Sequence, residues 1–277
     1  MKKEIRNVYL DEDLNIEAYR FQGISQKFPN HFHEYYVIGF IEDGARSLTC
    51  QNKTYKIETG DLLLFNPNDN HECEQIDNRS LDYRCINIQV DIMLKTTLEI
   101  TKKNYLPHFT ENVLFHSDLL PLLRNLHYMI MQEEKEFEKE ELFFFLMEQL
   151  ITEHSNASYS DELFEHNTEI ETICDYMKNN YRKRIKLLDL INIIGISKYC
   201  LLRSFTKQKG ISPYNYLMAI RISEAKKLLE KGTLPVEVAL ETGFVDQSHF
   251  SNFFKKLIGL TPKQYRNIFG HIGLNLK

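Results

Sequence analysis

The last third of the chain carries one frame twice. Phe205-x-Lys207-x-x-Gly210-Ile211-Ser212-Pro213-x-x-Tyr216 is echoed by Phe254-x-Lys256-x-x-Gly259-Leu260-Thr261-Pro262-x-x-Tyr265, with the two phenylalanines 49 positions apart. A repeat of that length is one supersecondary unit used twice. A glycine turn precedes each copy, at Gly195-Ile196-Ser197 and at Gly243-Phe244. A short helix, a glycine turn and a second helix with a Ser or Asp cap make a helix-turn-helix.

In the first unit the spacing predicts a supporting helix over 187–194, a turn at Gly195-Ile196, and Ser197 as N-cap of a helix running to about Lys207. Leu201 and Phe205, four apart, face the core of the unit, which turns Lys198, Tyr199, Leu202 and Arg203 outward. In the second unit residues 236–242 support, Gly243 turns, and Asp246 caps a helix over 247–256. Phe250 and Phe254 face inward, leaving Gln247, Ser248, His249, Ser251 and Asn252 outside, with Lys255 and Lys256 near the end. Those side chains suit base edges and phosphates. Between the units, Ser212 and Pro213 start a helix that runs to about Lys231 and stops at Gly232. Its length of about 28 Å can hold two recognition helices near one DNA turn apart, about 34 Å.

Charge divides the same way. Residues 168–277 hold 18 Lys and Arg against 9 Asp and Glu, whereas the rest of the chain holds 16 against 30. A polyanion therefore belongs on the C-terminal third, where Lys and Arg release counterions from phosphate. A chain of 277 residues with 43% hydrophobic content has room for two cored domains. No apolar segment follows the basic start Met1-Lys2-Lys3, and no run of 18 apolar residues occurs, so the expectation is a cytoplasmic protein without membrane partners. The five cysteines have no zinc-like spacing and are expected as free thiols.

Residues 5–90 alternate with the period of strands. They are punctuated by Glu42-Asp43-Gly44, Gln51-Asn52-Lys53, Thr59-Gly60-Asp61 and the turn at 66–70, which suggests a sandwich or barrel. The period changes over 117–154, which reads as two amphipathic helices separated by the acidic run 133–141, expected as a solvated helical face. Phe143, Phe144 and Phe145 are consecutive, so at least one must look away from the core. A partner protomer is expected to cover it, making 117–154 a dimerisation element. Polar, small residues begin at Ser155, which divides the chain into a domain over 1–154, a linker over 155–167 and a domain over 168–277.

The C-terminal frame resembles a family. Val238-Ala239-x-x-x-Gly243-Phe244-x-Asp246-x-Ser248-His249-Phe250-Ser251-x-x-Phe254-Lys255-Lys256-x-x-Gly259-x-Thr261-Pro262-x-x-Tyr265-Arg266 resembles the signature of AraC/XylS-type bacterial transcription regulators, and Arg221-x-x-x-Ala225-x-x-Leu228-Leu229 fits as well. Four positions depart from that pattern. Asn252 stands where Arg is usual, Ile191 and Ile194 where small alanines are common, and Leu202 where a polar base-facing residue is frequent. The first unit is therefore expected to read DNA less fully than the second. The resemblance implies an α+β chain of two domains: a cupin-like N-terminal β-barrel with dimerisation helices after it, then an all-α double helix-turn-helix. It also implies promoter DNA and RNA polymerase as partners, a small effector in the barrel, and activation of transcription.

The other constellation is His31-x-His33, with His71 further along. Two histidines at that spacing on a strand share a face, and imidazole is a common metal ligand. A cupin metal site would normally add a carboxylate four or five positions after His33, where Val37 and Ile38 stand. The expectation is therefore no metal and no cofactor, with His31, His33, Tyr35, His71, Tyr83 and Arg84 lining an effector pocket. Two alternatives remain: a metal-dependent cupin enzyme with a helical accessory region, and an interaction protein whose helix-turn-helix units no longer bind DNA.

Overall fold

A computed structural model of the chain describes residues 4–77, 79–156, 167–258 and 260–270. The chain divides into two compact units, 1–162 and 163–277.

Among the described residues the first unit has ten strands: β1 (Ile5–Asp11), β2 (Ile16–Ile24), β3 (Phe28–His31), β4 (Tyr36–Asp43), β5 (Ala45–Cys50), β6 (Lys53–Glu58), β7 (Leu62–Phe65), β8 (His71–Gln75), β9 (Leu81–Ile88) and β10 (Val113–Leu114). They form a six-stranded sheet in the order β1-β2-β9-β4-β7-β10 and a four-stranded sheet in the order β3-β8-β5-β6. The expected barrel is thus corrected to two sheets not closed on each other. The turns fall where the sequence signals them, with left-handed backbone at Gly44, Gln51, Asn52, Gly60 and Asn68. Asn and Gly tolerate that conformation best, which is why hairpins gather there.

Apart from the largely exposed edge strand β1, the large sheet is covered on both faces. Residues 19, 21, 37, 41, 63, 65, 83, 85 and 87 point toward the small sheet. The alternate Ala18, Ile38, Phe40, Leu62, Leu64, Ile86 and Ile88 are fully buried on the opposite face, as a period of two requires. Among the described residues three helices belong to this unit: α1 (Val90–Thr101), α2 (Leu120–Met131) and α3 (Glu138–His154). The helix α2 packs on β1, β2 and β9 and on α3. His127 lies 2.9 Å from the Tyr19 carbonyl, and Arg124 donates to Glu42 at 2.9 Å.

The acidic run differs from expectation. Its middle is a turn, and Lys139 and Glu141 at the start of α3 are 3% and 2% exposed. Lys139 makes a buried ion pair with Asp11 at 2.5 Å, tying α3 to the end of β1. Phe143 and Phe144 are buried and Phe145 is half-buried. Ser155 and Asn156 are bonded back to the sheet-rich unit through Phe109 and His108, and the rest of the expected linker lies outside the described residues up to Asn167.

Among the described residues the regular elements of the second unit are helices: α4 (Asn167–Asn180), α5 (Leu187–Ile194), α6 (Lys198–Lys209), α7 (Pro213–Glu230), α8 (Pro235–Glu241), α9 (Gln247–Ile258) and α10 (Pro262–Gly270). The caps are the predicted ones. The Ser197 hydroxyl accepts from Cys200 N at 3.2 Å, Ser212 from Asn215 N at 3.3 Å, and the Asp246 carboxylate from His249 N at 2.7 Å. Each satisfies an amide that the first helical turn leaves unpaired. Arg221, 2% exposed, donates to the Tyr181 and Lys183 carbonyls at 2.9 Å each and lies over the Phe244 ring. That side chain braces α7 against the segment before α5 and the turn before α9.

Candidate functional site

Two surfaces carry the candidate chemistry. The first is the pair of helices α6 and α9. In α9 only Phe250 and Phe254 are buried; Gln247, Ser248, Asn252, Lys255 and Lys256 are exposed, and Ser251 is half-buried. His249 is half-buried as well, its ring 5.4 Å from Phe244 and its Nε2 3.4 Å from the Tyr214 hydroxyl. A shallow groove beside α9 is lined by Gln247, Ser251, Lys263 and Arg266. Lys263 and Arg266 escaped the sequence reading, although Arg266 closes the quoted signature.

The helix α6 is different. Lys207 is exposed, and Lys198 and Arg203 are half-buried, but Tyr199 is 4% and Leu202 0% exposed. The expectation that both point outward is corrected: α6 packs on α4, α5 and α7, so its apolar stripe is wider than the Leu201–Phe205 line alone. The helix α4, absent from the sequence reading, supplies the extra neighbour. Arg203 donates to the Tyr199 hydroxyl at 2.6 Å, across one turn of α6.

The second candidate surface is a cavity of about 160 Å³ between the two sheets of the first unit. His31, His33, Tyr35, His71 and Tyr83 line it, together with Tyr19, Phe21, Phe28, Cys73, Cys85 and Asn87, which sequence reasoning missed. Strand parity from Tyr83 would have found Cys85 and Asn87. Arg84 does not line it. Adjacent residues of a strand face opposite ways, and Arg84 reaches Asp82 at 3.4 Å and Glu42 at 4.0 Å instead. Tyr83 lies over Gly39, where an added Cβ would fall within 2.7 Å of its ring.

The three histidines meet because β3 and β8 pair with His31 directly opposite His71. Ring centroids lie 4.4 Å apart for His31 and His71, 4.8 Å for His31 and His33, and 5.2 Å for His33 and His71. His71 stacks on Phe65 at 4.0 Å, and His33 on Tyr35 at 4.9 Å. Burial, followed by His71 and His31 as neighbours, lowers the His33 pKa to about 4. Burial also lowers that of His71 and pushes the Cys73 and Cys85 thiols up to about 11 and about 12. Desolvation favours the uncharged form of each group, so His33, His71, Cys73 and Cys85 are neutral near pH 7. Among the described residues, no Asp, Glu, Lys or Arg lines the cavity.

Both units match known protein families. The model of the AraC-like ligand binding domain matches residues 13–147, and a helix-turn-helix domain model matches residues 190–268. YbfI, an HTH-type transcriptional regulator of Bacillus subtilis (strain 168), is 54% identical over 249 residues, covering 90% of each chain. The HTH-type transcriptional activator RhaS of Enterobacter sp. (strain 638) is 24% identical over 250 residues, covering 86% of this chain and 87% of its own. Among solved structures, unsaturated fatty acid bound ToxT from Vibrio cholerae strain SCE256 is similar at 16% identity over 96% of this chain and 97% of that one, with a TM-score of 0.39. On its matched ligand-binding and helix-turn-helix domains, and on its identity to YbfI along nine-tenths of both chains, this chain belongs to the AraC family of transcriptional regulators.

Proposed function

We propose that a small effector held in the cavity of the first unit controls how α6 and α9 engage promoter DNA, and that the chain activates transcription. The cavity carries this reading. It lies between the two sheets, and its polar groups are histidines, tyrosines, cysteines and an asparagine, with Glu17 behind the Tyr19 hydroxyl at 2.9 Å. Such a lining, mostly apolar with a few polar groups, orients a ligand by hydrogen bonds, which fits a binding role. A cavity of roughly 150 Å³ admits a molecule of benzene's size, so the effector is a compact molecule with an apolar body and one polar end.

On the DNA side, Gln247, Ser248, His249, Ser251 and Asn252 take base edges, while Lys255, Lys256, Lys263 and Arg266 take phosphates. Lys198, Arg203 and Lys207 make the first unit's contacts. The division of the chain into a sensor over 1–154 and a DNA reader over 168–277 is part of the reading. So are a homodimer through α2 and α3, contact with RNA polymerase, and a cytoplasmic setting. Activation is the direction named for the RhaS relatives.

The test is a mobility shift of the full chain on DNA upstream of its own gene and neighbouring genes, at several salt concentrations, with and without small-molecule candidates that raise its melting temperature. A sequence-selective shift whose log affinity falls steeply with log salt, and which a stabilising ligand alters, is expected. Equal binding to all DNA, or a shift that no stabilising ligand alters, overturns the reading. A monomer by light scattering at tens of micromolar removes the dimer.

A further inference from the structure

We infer that the cavity of the first unit selects a flat, uncharged aromatic ring, and that Gly39 sets this preference by letting the Tyr83 ring sink into the large sheet beside Phe21. The inference rests on the effector reading for the purpose of binding and supplies the chemical class of the ligand.

Gly39 interrupts the buried apolar run of β4, between Val37-Ile38 and Phe40-Ile41. A glycine inside a strand weakens it and packs nothing of its own. The backbone does not call for one, because Gly39 has no positive φ. What calls for glycine is space. Val37 and Ile41 line the cavity, and position 39, two residues from each, shares their face. A Cβ there would stand 2.6 Å from Tyr83 Cε2 and 2.7 Å from Cζ, far inside the roughly 3.5 Å at which carbon atoms settle. The Tyr83 ring therefore fills the volume that any other side chain at position 39 would take. The register explains its reach. Tyr83 is paired with Ile41, and Gly39 with Cys85, so the ring leans from its own level of the sheet into the gap at the next.

The sunken ring has a partner. Phe21 stands opposite Tyr83 across the β2–β9 ladder, with ring centroids 6.3 Å apart and planes within 4° of parallel. Both rings line the cavity. Tyr19 and Phe28 extend the aromatic wall on either side of Phe21, at 5.8 Å and 6.2 Å, but are tilted from it by 36° and 60°. The parallel pair thus offers the flat surface. An aromatic ligand gains from offset stacking on such a surface, and a puckered ring of the same size does not. A cavity of about 160 Å³ holds one six-membered ring. Among the described residues no Lys or Arg lines it, so a ligand carboxylate would be desolvated without a partner and an uncharged ring is preferred.

The test measures binding of phenol and of cyclohexanol, which carry the same hydroxyl on a flat and on a puckered ring, to the full chain by calorimetry and by the rise in melting temperature. Phenol should bind at one equivalent and at least about fivefold more tightly than cyclohexanol. Tyr83→Phe should keep that ratio, and Tyr83→Leu should bring it close to one. Gly39→Ala should lower both the melting temperature and the affinity for phenol. The double variant Gly39→Ala, Tyr83→Leu should melt no lower than Tyr83→Leu alone, because the clash has gone with the ring. Equal binding of the two probes, no saturable binding of phenol, or a cost of Gly39→Ala that persists in full in the double variant overturns the inference. If phenol fails to bind while another small molecule stabilises the chain and alters the DNA shift, the aromatic preference falls and the effector reading stands. If phenol binds with the expected ratio and no stabilising ligand alters the shift, the effector reading falls alone.

Discussion

The two helix-turn-helix units share a frame and differ in what they leave uncovered. Phe205 and Phe254 are both fully buried, and both recognition helices begin on a side-chain cap, from Ser197 and Asp246. Yet α6 buries Tyr199, Leu201, Leu202, Ser204 and Phe205, whereas α9 buries Phe250 and Phe254 alone. A repeated motif therefore specifies the core of each copy, while the neighbours decide how much surface remains for reading. The helix α6 has α4, α5 and α7 around it, and α9 packs chiefly on α8 and α10.

Equal cores should respond equally. Phe205→Ala and Phe254→Ala should each destabilise the chain by about 3–5 kcal/mol, measured by urea unfolding, because each empties a fully buried aromatic site. A cost below about 1 kcal/mol for either would break the equivalence of the two cores.

The glycine turns should respond unequally. Gly195 and Gly243 both have positive φ, at 70° and 79°, which penalises any side chain by about 1–2 kcal/mol. A Cβ at Gly195 meets nothing within 4 Å, but at Gly243 it would stand 2.5 Å from the Tyr181 carbonyl and 2.8 Å from that of Arg182. Those atoms are backbone and cannot swing aside, and Arg221 holds the same segment. Gly195→Ala should cost about 1 kcal/mol and Gly243→Ala about 3 kcal/mol or more. Equal melting temperatures for the two variants would sink the idea that the second turn is wedged against the entry to the first unit.

Where the sequence was legible, local chemistry was the reason. Ser197, Ser212 and Asp246 announced helix starts, since a side-chain oxygen must satisfy the first amides. Gly44, Gly60 and Asn68 announced turns. What stayed hidden depended on partners distant in the chain. Tyr199 and Leu202 sit at helical positions whose exposure is set by packing, and α4 went unread although Ile170, Ile173, Cys174 and Met177 recur at helical spacing and are all fully buried. Arg84 was misplaced by choosing residue type over strand parity. His31 and His71, 40 positions apart, came together only through the β3–β8 register.

The comparison sharpens most on DNA. Asn252→Ala and Gln247→Ala remove exposed hydrogen-bonding groups from α9, and each should lower specific affinity by about 1–3 kcal/mol with relaxed preference at one base pair, read by competition shifts. Leu202→Ala should leave base preference untouched, because a side chain without exposed surface cannot reach a groove. A changed preference in that variant would restore the first unit as an equal reader. Lys207→Ala should have the smallest effect: Lys207 is exposed near the end of α6, where it can meet phosphate and not a base. Its removal should weaken all sequences alike and reduce the slope of log affinity against log salt by about one. A slope unchanged from the unaltered chain would remove Lys207 from the contacts and leave Lys198 and Arg203 to carry α6.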